Sequence, residues 1–365
     1  MSPAVGNLTG LQVLNLGDND FNGEIPEELG RLTALRILNL SNNAFSGPFP
    51  ANLTRCRALE YLDLNTNGLV GEVPDELAPL SKLDTLYLFV NNFTGTIPPS
   101  IGNLSSLTVI GLGRNGFQGR IPEEIGRLKN LTFLQVGDTN LTGEIPESIY
   151  NLSSLTFITF AGNQIHGTLP LQLGHLLPNL ETLYLGGNLL TGPFPNSLIN
   201  ASALQNLDLA YNNFTGPVWS DLGRLGGLLW LNLNGNRLGT GRPDDLDFLP
   251  SLVNCTGLQT LGIDTNGFGG TLPDSVTNFS TQLSMFLMGG NHIHGPIPPG
   301  IGNLVGLTAL DMSSNMFGGS IPASIGQLQS LQFLSLSGNR ISGAIPESMG
   351  NLTVRDALMG MGLMK

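Results

Sequence analysis

The chain has 365 residues, of which 41% are hydrophobic and 12% are charged, and its formal net charge is −12. This hydrophobicity at low charge density excludes intrinsic disorder. The acidic balance disfavours nucleic acid and anionic membrane as main partners, because both require a dense basic patch.

The first element in chain order is the start MSPAVGNLTG, which lacks the basic and apolar segments of a signal peptide. No later run of about 18 apolar residues predicts a membrane span. From Leu8 to Arg31 the chain reads LTGLQVLNLGDNDFNGEIPEELGR, and this pattern then recurs. Its skeleton, LxxLxxLxLxxNxFxGxIPxxIGx, is the leucine-rich repeat signature in a 24-residue form.

An asparagine at a fixed place defines each repeat, and we number the repeats 1 to 14 by this repeat Asn. The spacing is 24 residues except for 25 before Asn188, 30 before Asn266 and 25 before Asn291. Repeat 6 carries a threonine instead. The fourteen positions are Asn19, Asn43, Asn67, Asn91, Asn115, Thr139, Asn163, Asn188, Asn212, Asn236, Asn266, Asn291, Asn315 and Asn339.

Each repeat predicts a short strand followed by a turn and an extended return. Apolar and polar residues alternate at Leu14, Asn15 and Leu16, which indicates a strand with one buried face. The repeat Asn is expected to form hydrogen bonds with main-chain groups in its own and the neighbouring repeat. Thr139, which replaces it in repeat 6, is expected to lower local stability. The segment from Gly23 to Pro26 predicts extended backbone without a regular helix.

The predicted fold is therefore an α/β leucine-rich repeat solenoid, curved or superhelical, with a parallel inner sheet of short strands. Neighbouring repeats bury each other's leucines, so residues 8–351 are expected to form one solenoid domain. Residues 1–7 precede the first repeat, and residues 352–365 are an incomplete repeat and a tail foreign to the pattern. Without capping segments, the chain is interpreted as a piece of something longer or the product of a truncated gene.

Two cysteines, Cys56 and Cys255, each stand eleven residues before a repeat Asn, where most repeats have leucine. We expect both to be buried substitutes for leucine. They lie in repeats 3 and 11, roughly 40 Å apart at about 4.7 Å per strand, so they are predicted to be free thiols.

These features resemble the extracellular leucine-rich repeat region of plant receptor-like kinases. The segment Asp245 to Gln259 resembles the short helical insertion of the immune-receptor subgroup with the flagellin and elongation-factor Tu receptors and their rice relatives. The opening SPAVGNLTGLQVLNL resembles the segment after that subgroup's N-terminal cap. The plant-type Gly-x-Ile-Pro segments are GEIP at Gly23, GTIP at Gly95, GEIP at Gly143, GPIP at Gly295 and GAIP at Gly343.

The resemblance implies ligand perception at the outer face of the plasma membrane. In this family the ectodomain binds a peptide or protein ligand and then recruits a co-receptor kinase. The cysteine caps, transmembrane helix and kinase of the family are not found in this sequence, so the chain itself is not expected to be an enzyme or to contact the membrane.

Two motifs that suggest other chemistry are better explained by the repeat. The GxGxxG string from Gly111 to Gly116 is the strand and turn of repeat 5, so no nucleotide cofactor is expected. His292 and His294 flank a buried position and lack further ligands, so no metal site is expected.

The inner, concave face carries the candidate ligand-binding residues. Side chains six, four, two and one residues before the repeat Asn point away from the core by alternation. Large aromatics concentrate there in repeats 3 to 10, as in protein and peptide interfaces; half-burial by lateral packing is the alternative explanation. The candidates are Tyr61, Asp63, Tyr87, Phe89, Arg114, Phe133, Asp138, Phe157, Tyr184, Asp208, Tyr211 and Trp230.

Thirteen N-x-S/T sequons are candidate glycosylation sites, although the repeat consensus alone produces part of this abundance. All but Asn39 lie off the inner strand face, and a glycan on Asn39 would cover repeat 2. The sequons are at Asn7, Asn39, Asn52, Asn92, Asn103, Asn130, Asn140, Asn151, Asn200, Asn213, Asn254, Asn278 and Asn351.

The favoured functional interpretation is a non-catalytic recognition module that binds a peptide or protein, and possibly a co-receptor kinase. Two alternatives stay open. One is a secreted leucine-rich repeat inhibitor of a pathogen cell-wall hydrolase, although those inhibitors resemble shorter solenoids with disulfide caps. The other is a truncated gene product without independent function.

Overall fold

The computed structural model describes residues 1–352. These residues fall into two compact units, Met1–Leu190 and the part from Thr191 onward. Unit 1 contains repeats 1 to 8 and unit 2 contains repeats 9 to 14. The prediction of a single solenoid domain stays a prediction, and the expected tail lies, beyond residue 352, outside the described residues.

Every repeat contributes a first strand of three residues, as the alternation predicted. In unit 1 the first strands are Val13–Asn15, Ile37–Asn39, Tyr61–Asp63, Thr85–Tyr87, Val109–Gly111, Phe133–Gln135, Phe157–Thr159 and Thr182–Tyr184. In unit 2 they are Asn206–Asp208, Trp230–Asn232, Thr260–Gly262, Met285–Leu287, Ala309–Asp311 and Phe333–Ser335. Within each unit successive first strands pair in parallel with equivalent positions in register, for example Tyr61 with Thr85.

The extended return segments also pair with one another, which the sequence analysis did not predict. Each repeat of unit 1 has such a second strand: Asn22–Glu24, Ala44–Pro48, Gly68–Glu72, Asn92–Thr94, Gln118–Arg120, Asn140–Gly143, Gln164–Thr168 and Leu189–Pro193, the last of which runs into unit 2. In unit 2 the second strands are Asn213–Gly216, Arg237–Leu238, His294–Pro296, Met316–Gly319 and Arg340–Ile341. A glycine with positive φ, such as Gly23 at 77°, gives these segments the bend that an L-residue resists.

The helical parts of the repeats are almost all 3₁₀. The α-helices are single turns, Glu147–Tyr150 and Leu173–Leu176. The 3₁₀-helices are Pro3–Asn7, Glu27–Arg31, Ala51–Arg55, Pro99–Asn103, Glu123–Arg127, Asn196–Asn200, Leu222–Arg224, Leu249–Asn254, Asp274–Asn278, Ile301–Asn303, Ala323–Gln327 and Glu347–Asn351. The expected helical insertion is thus a 3₁₀-helix preceded by turns.

The repeat Asn side chains bond as predicted. In Asn91 the amide nitrogen donates to the carbonyls of Leu64 and Leu88, at 2.9 and 3.1 Å, and the amide oxygen accepts from the N–H of Leu69 at 3.0 Å. Leu64 and Leu69 belong to the preceding repeat, so each such Asn ties two repeats together. Leucines and a file of phenylalanines fill the core beneath them.

Both cysteines are buried free thiols, as expected. The Cys56 thiol donates to the carbonyl of Leu29 at 3.4 Å, and the Cys255 thiol donates to that of Leu225 at 3.3 Å. Burial raises the pKa of each thiol to about 11. A thiol with such a pKa is a poor nucleophile at neutral pH, so these residues serve packing.

Candidate ligand-binding surface

Six aromatic side chains of unit 1 form one contiguous surface above the first strands. We call Tyr61, Tyr87, Phe89, Phe133, Phe157 and Tyr184 the aromatic row. All six are half-buried, which is less exposed than the sequence suggested. Their partial burial fits lateral packing of the rings, and each residue keeps part of its surface exposed.

Ring contacts join the members of the aromatic row. Tyr87 meets the rings of Tyr61, Phe89 and Phe133 edge to face, with centroids 6.4, 5.7 and 6.5 Å away. Phe133 stacks on Phe157 at 4.3 Å, and Phe157 meets Tyr184 at 6.1 Å. Such pairs are worth about 0.5–1.5 kcal/mol each beyond buried area, so the rings hold one another in place.

Asp63 supports the row instead of facing a ligand. Only 5% of the residue is exposed. Its carboxylate accepts from the Tyr61 hydroxyl at 3.0 Å, and from the backbone N–H and the side-chain amide of Asn65 at 3.0 and 2.6 Å. Burial raises the pKa of Asp63 despite these bonds, and it also raises that of Tyr61. The expectation that Asp63 is a direct ligand contact is therefore corrected to an orienting role for Tyr61.

Arg114 and Asp138 stand one residue before the repeat Asn in repeats 5 and 6, as expected for exposed positions. They form an ion pair with 3.3 Å between Nε and Oδ2, and both side chains are more than half exposed. A pair so exposed contributes about 0–1 kcal/mol. Both residues have left-handed backbone, with φ of 51° and 54°.

A polar depression lies beside Tyr61, at a place that the sequence pattern did not predict. It has a volume of about 500 Å³, and its lining includes Glu60, Lys82 and Asp84. Glu60 accepts two bonds from Arg36 at 3.0 and 2.8 Å, which lowers the pKa of the glutamate. Glu60 and Asp84 stand seven residues before the repeat Asn, a position that the alternation rule does not assign to the inner face.

The candidates of unit 2 differ in exposure. Tyr211 is 56% exposed, Trp230 is 36% exposed, and Asp208 is half-buried. Asp208 accepts from the N–H of Ala210 at 2.9 Å and from the side chain of Asn232 at 3.2 Å. Burial raises the pKa of Asp208. Tyr211 and Trp230 are thus the accessible aromatics among the candidates of this unit, and Asp208 is an internal bonding partner.

The sequons separate by exposure. Asn39 is half-buried, and its side-chain oxygen accepts from the N–H and hydroxyl of Ser41 at 2.9 and 2.7 Å, so it is poorly placed for modification. Asn52, Asn200 and Asn213 are also half-buried. The exposed sequons are Asn7, Asn92, Asn103, Asn130, Asn140, Asn151, Asn254, Asn278 and Asn351.

The two histidines and the glycine string singled out in the sequence have these positions in residues 1–352. His292 and His294 are exposed, and no group of three or more metal-ligating side chains occurs in this range. Gly111 to Gly116 lie in the first strand and turn of repeat 5. No helix in the described part of the chain has the length and apolar character of a membrane span.

Comparisons with known families agree with the repeat pattern. Residues 1–136 match the family described as a leucine-rich repeat region. Residues 130–152, 179–201, 203–225, 306–328 and 330–352 match the leucine-rich repeat family.

Curated relatives are plant receptor kinases. The chain is 42% identical over 89 residues to the LRR receptor-like serine/threonine-protein kinase EFR of Arabidopsis thaliana. It is 45% identical over 91 residues to the receptor kinase-like protein Xa21 of Oryza sativa subsp. japonica. The matched segments span about a quarter of this chain and 9% of each relative.

Solved structures extend the likeness to nearly the whole chain. The PEPR1 structure with AtPEP1 has a TM-score of 0.90 and 34% sequence identity. The match covers 97% of this chain and 49% of the PEPR1 chain. The plant peptide hormone receptor RGFR1 in complex with RGF2 has a TM-score of 0.71 and 30% identity, with coverage of 96% and 67%.

A third structure is the Arabidopsis receptor kinase HAESA with the peptide hormone IDA and the co-receptor SERK1. It has a TM-score of 0.83 and 30% identity, with coverage of 96% of this chain and 62% of its own. The repeat pattern, the paired strands and these likenesses agree. The chain belongs to the leucine-rich repeat family, and its repeats are similar to the leucine-rich repeat ectodomains of plant receptor kinases.

Proposed function

We propose that this chain is a non-catalytic recognition module that binds an extracellular peptide or protein on the face of its first strands. The observation that carries the proposal is the aromatic row, a set of half-exposed rings in mutual contact through repeats 3 to 8. Large rings with one accessible face supply apolar contact area at low cost in side-chain entropy, which is why they dominate binding hot spots.

The row is preorganised for binding. Tyr87 is held by three neighbouring rings, and the hydroxyl of Tyr61 is fixed by Asp63. Side chains that are already ordered lose little freedom when a ligand arrives, so more of the contact energy appears as affinity.

The relatives support the same class of function. RGFR1 is a plant peptide hormone receptor whose structure is in complex with RGF2, and the HAESA structure contains the peptide hormone IDA and the co-receptor SERK1. By this analogy we place the chain at the outer face of the plasma membrane, where ligand binding would be followed by contact with a co-receptor kinase.

The test uses the whole chain and a synthetic peptide chosen by panning a random dodecapeptide display library against it. Hydroxyl-radical footprinting, read by mass spectrometry, then measures the oxidation of each aromatic side chain with and without the peptide. We expect Tyr87, Phe133 and Tyr184 to be protected. The exposed rings of Phe21 and Trp219, which stand outside the first strands, serve as controls and should stay reactive.

Two results would count against the proposal. One is that panning on the folded chain enriches no peptide beyond those enriched by panning on the unfolded chain. The other is that the selected peptide protects Phe21 or Trp219 and leaves the aromatic row as reactive as before.

A further inference from the structure

The continuity of the aromatic row depends on a contact that skips one repeat. Tyr87 belongs to repeat 4, yet its ring meets the ring of Phe133 in repeat 6 at 6.5 Å. The first strand between them is Val109–Gly111, and Gly111 is the residue paired with Tyr87 in the register of the sheet. The Tyr87 ring therefore lies across the position where repeat 5 has no side chain.

The space above Gly111 is filled by the two rings of repeat 4. A Cβ atom at Gly111 would come within 2.7 Å of Cδ1 and 3.2 Å of Cε1 of Tyr87, and within 3.3 Å of Cδ1 of Phe89. The first distance is shorter than real Cβ contacts allow. The φ angle of Gly111 is not in the left-handed region, so the backbone itself does not require glycine here. The glycine provides room for the aromatic rings.

We propose that Gly111 is a positioning residue of the ligand surface: by leaving room for Tyr87 and Phe89 to lie across repeat 5, it joins the rings from Tyr61 to Tyr184 into one surface. A side chain at this position would separate Tyr61 and Tyr87 from Phe133, Phe157 and Tyr184. This inference rests on the proposed function, since it concerns the same face.

The continuous row also defines the size of its occupant. From repeat 3 to repeat 8 there are five strand spacings of about 4.7 Å, or roughly 24 Å. An extended peptide advances about 3.3 Å per residue, so contact with both ends of the row needs roughly seven residues. The occupant is therefore an extended peptide segment of at least about this length, with apolar side chains turned toward the rings.

The experiment measures the affinity of the selected dodecapeptide for the whole chain and for the variants Gly111→Ala, Tyr87→Ala and the two combined. Gly111→Ala is expected to weaken binding at least tenfold. If the glycine acts through Tyr87, the double variant binds no more weakly than Tyr87→Ala alone, because the two changes remove the same contact.

Gly262→Ala is the matched control. Gly262 has the equivalent place in repeat 11, also without positive φ, but its neighbours are the side-chain amides of Asn232 and Asn234 and not aromatic rings. If crowding in a first strand merely disturbs packing, the two glycine variants should lose peptide affinity to the same extent. We expect Gly262→Ala to change the peptide affinity less than twofold.

Selective labelling of tyrosine and phenylalanine rings supplies a readout that is independent of binding. A nuclear Overhauser contact between the rings of Tyr87 and Phe133 should be present in the original chain and in Gly262→Ala, and lost in Gly111→Ala. A chain with Gly111→Ala that keeps this contact contradicts the positioning role.

The outcomes separate this inference from the proposed function. If Tyr87→Ala weakens binding and Gly111→Ala does not, the ligand surface stands and the role of Gly111 is wrong. Equal losses in Gly111→Ala and Gly262→Ala, or additive losses in the double variant, also overturn it. If Tyr87→Ala leaves the affinity unchanged, the aromatic row is not the ligand surface and both proposals fail.

Discussion

Thr139 shows how one side chain alters the bonding between repeats. Its hydroxyl donates to the side-chain oxygen of Asn163 at 2.5 Å. The carbonyls of Leu112 and Val136 keep amide donors from Asn115 and Asn163, at 2.9 and 3.0 Å. What Thr139 lacks is the side-chain amide oxygen with which a repeat Asn accepts a hydrogen bond. In repeat 4, for example, the N–H of Phe93 donates to Asn115, and Thr139 supplies no such oxygen to repeat 5.

Thr139→Asn should therefore stabilise the chain, because it restores the missing acceptor and ties repeats 5 and 6 as elsewhere. The expected gain is about 1 kcal/mol in the free energy of unfolding, measured by urea denaturation. Asn91→Thr, the reverse change at an intact position, should lower stability by at least as much. An unchanged midpoint for Thr139→Asn would show that the hydroxyl already satisfies this site.

Asp264 is a half-buried carboxyl that the sequence did not single out. Burial, with a further contribution from the charge of Asp311, raises its pKa to about 6. Its Oδ1 atom is buried without a hydrogen-bond partner. Because the folded pKa lies above the unfolded value of about 3.9, the fold favours the neutral acid, and this carboxyl destabilises the chain progressively as pH rises from about 4 to 6.

Asp264→Asn is thus expected to raise the free energy of unfolding at pH 7, by up to about 2 kcal/mol, and to change it little at pH 4. Urea midpoints at the two pH values measure this difference. Asp20→Asn, at an exposed position, is the control and should show no comparable gain. A gain of equal size at both pH values would assign the effect to packing instead of ionisation.

At the scale of elements, the insertion in repeat 11 is organised by one carboxylate. Asp245 is 4% exposed and accepts bonds from the N–H groups of Thr240, Arg242 and Gly269, at 2.9, 3.0 and 2.9 Å, and from the Thr240 hydroxyl at 3.0 Å. Burial alone would raise its pKa, but these four donors lower it overall. Asp245 thereby ties the loop before the 3₁₀-helix to the next segment of the chain.

Asp245→Ala should release this loop, because three backbone N–H groups lose their acceptor. Hydrogen exchange read by mass spectrometry is expected to accelerate at least tenfold across residues 240–254 and at Gly269, while the first strands of unit 1 stay unchanged. For the original chain the depressed pKa means that this contribution is present at neutral pH and lost as the carboxylate protonates in acid. Uniform acceleration over both units would instead indicate global destabilisation.

The sequence predicts the first strands well and the rest of each repeat less well, for physical reasons. The alternation of apolar and polar residues at Leu14, Asn15 and Leu16 directly indicates a strand with one buried face. The pairing of the return segments leaves no alternation, because glycine and proline interrupt it. The sequence also gives no sign that the residue before each repeat Asn has left-handed backbone. Val90, for example, has φ of 56°, although branched residues avoid that region.

At the scale of the whole molecule, the sequence placed the aromatic residues on the correct face but not their mutual contacts. Tyr61 and Phe133 follow from alternation, whereas the reach of Tyr87 across Gly111 depends on rotamers and on the missing side chain of repeat 5. The orienting role of Asp63 was also hidden, because alternation gives direction and not burial. Spacing in the sequence therefore predicts which side chains lie on this face, but it does not predict the contacts that hold them in place.

The central claim is that the aromatic side chains of the first-strand face and its adjoining turns carry ligand binding, and the affinities of alanine variants test it most directly. Tyr87→Ala, Phe133→Ala and Tyr184→Ala should each weaken binding of the selected dodecapeptide at least tenfold, about 1.4 kcal/mol, with cooperative unfolding retained. Arg120→Ala and His292→Ala, at exposed positions outside the first strands, should have little effect. Unchanged affinity in the three aromatic variants, together with lost binding in Arg120→Ala or His292→Ala, would contradict the claim and place the ligand on another surface.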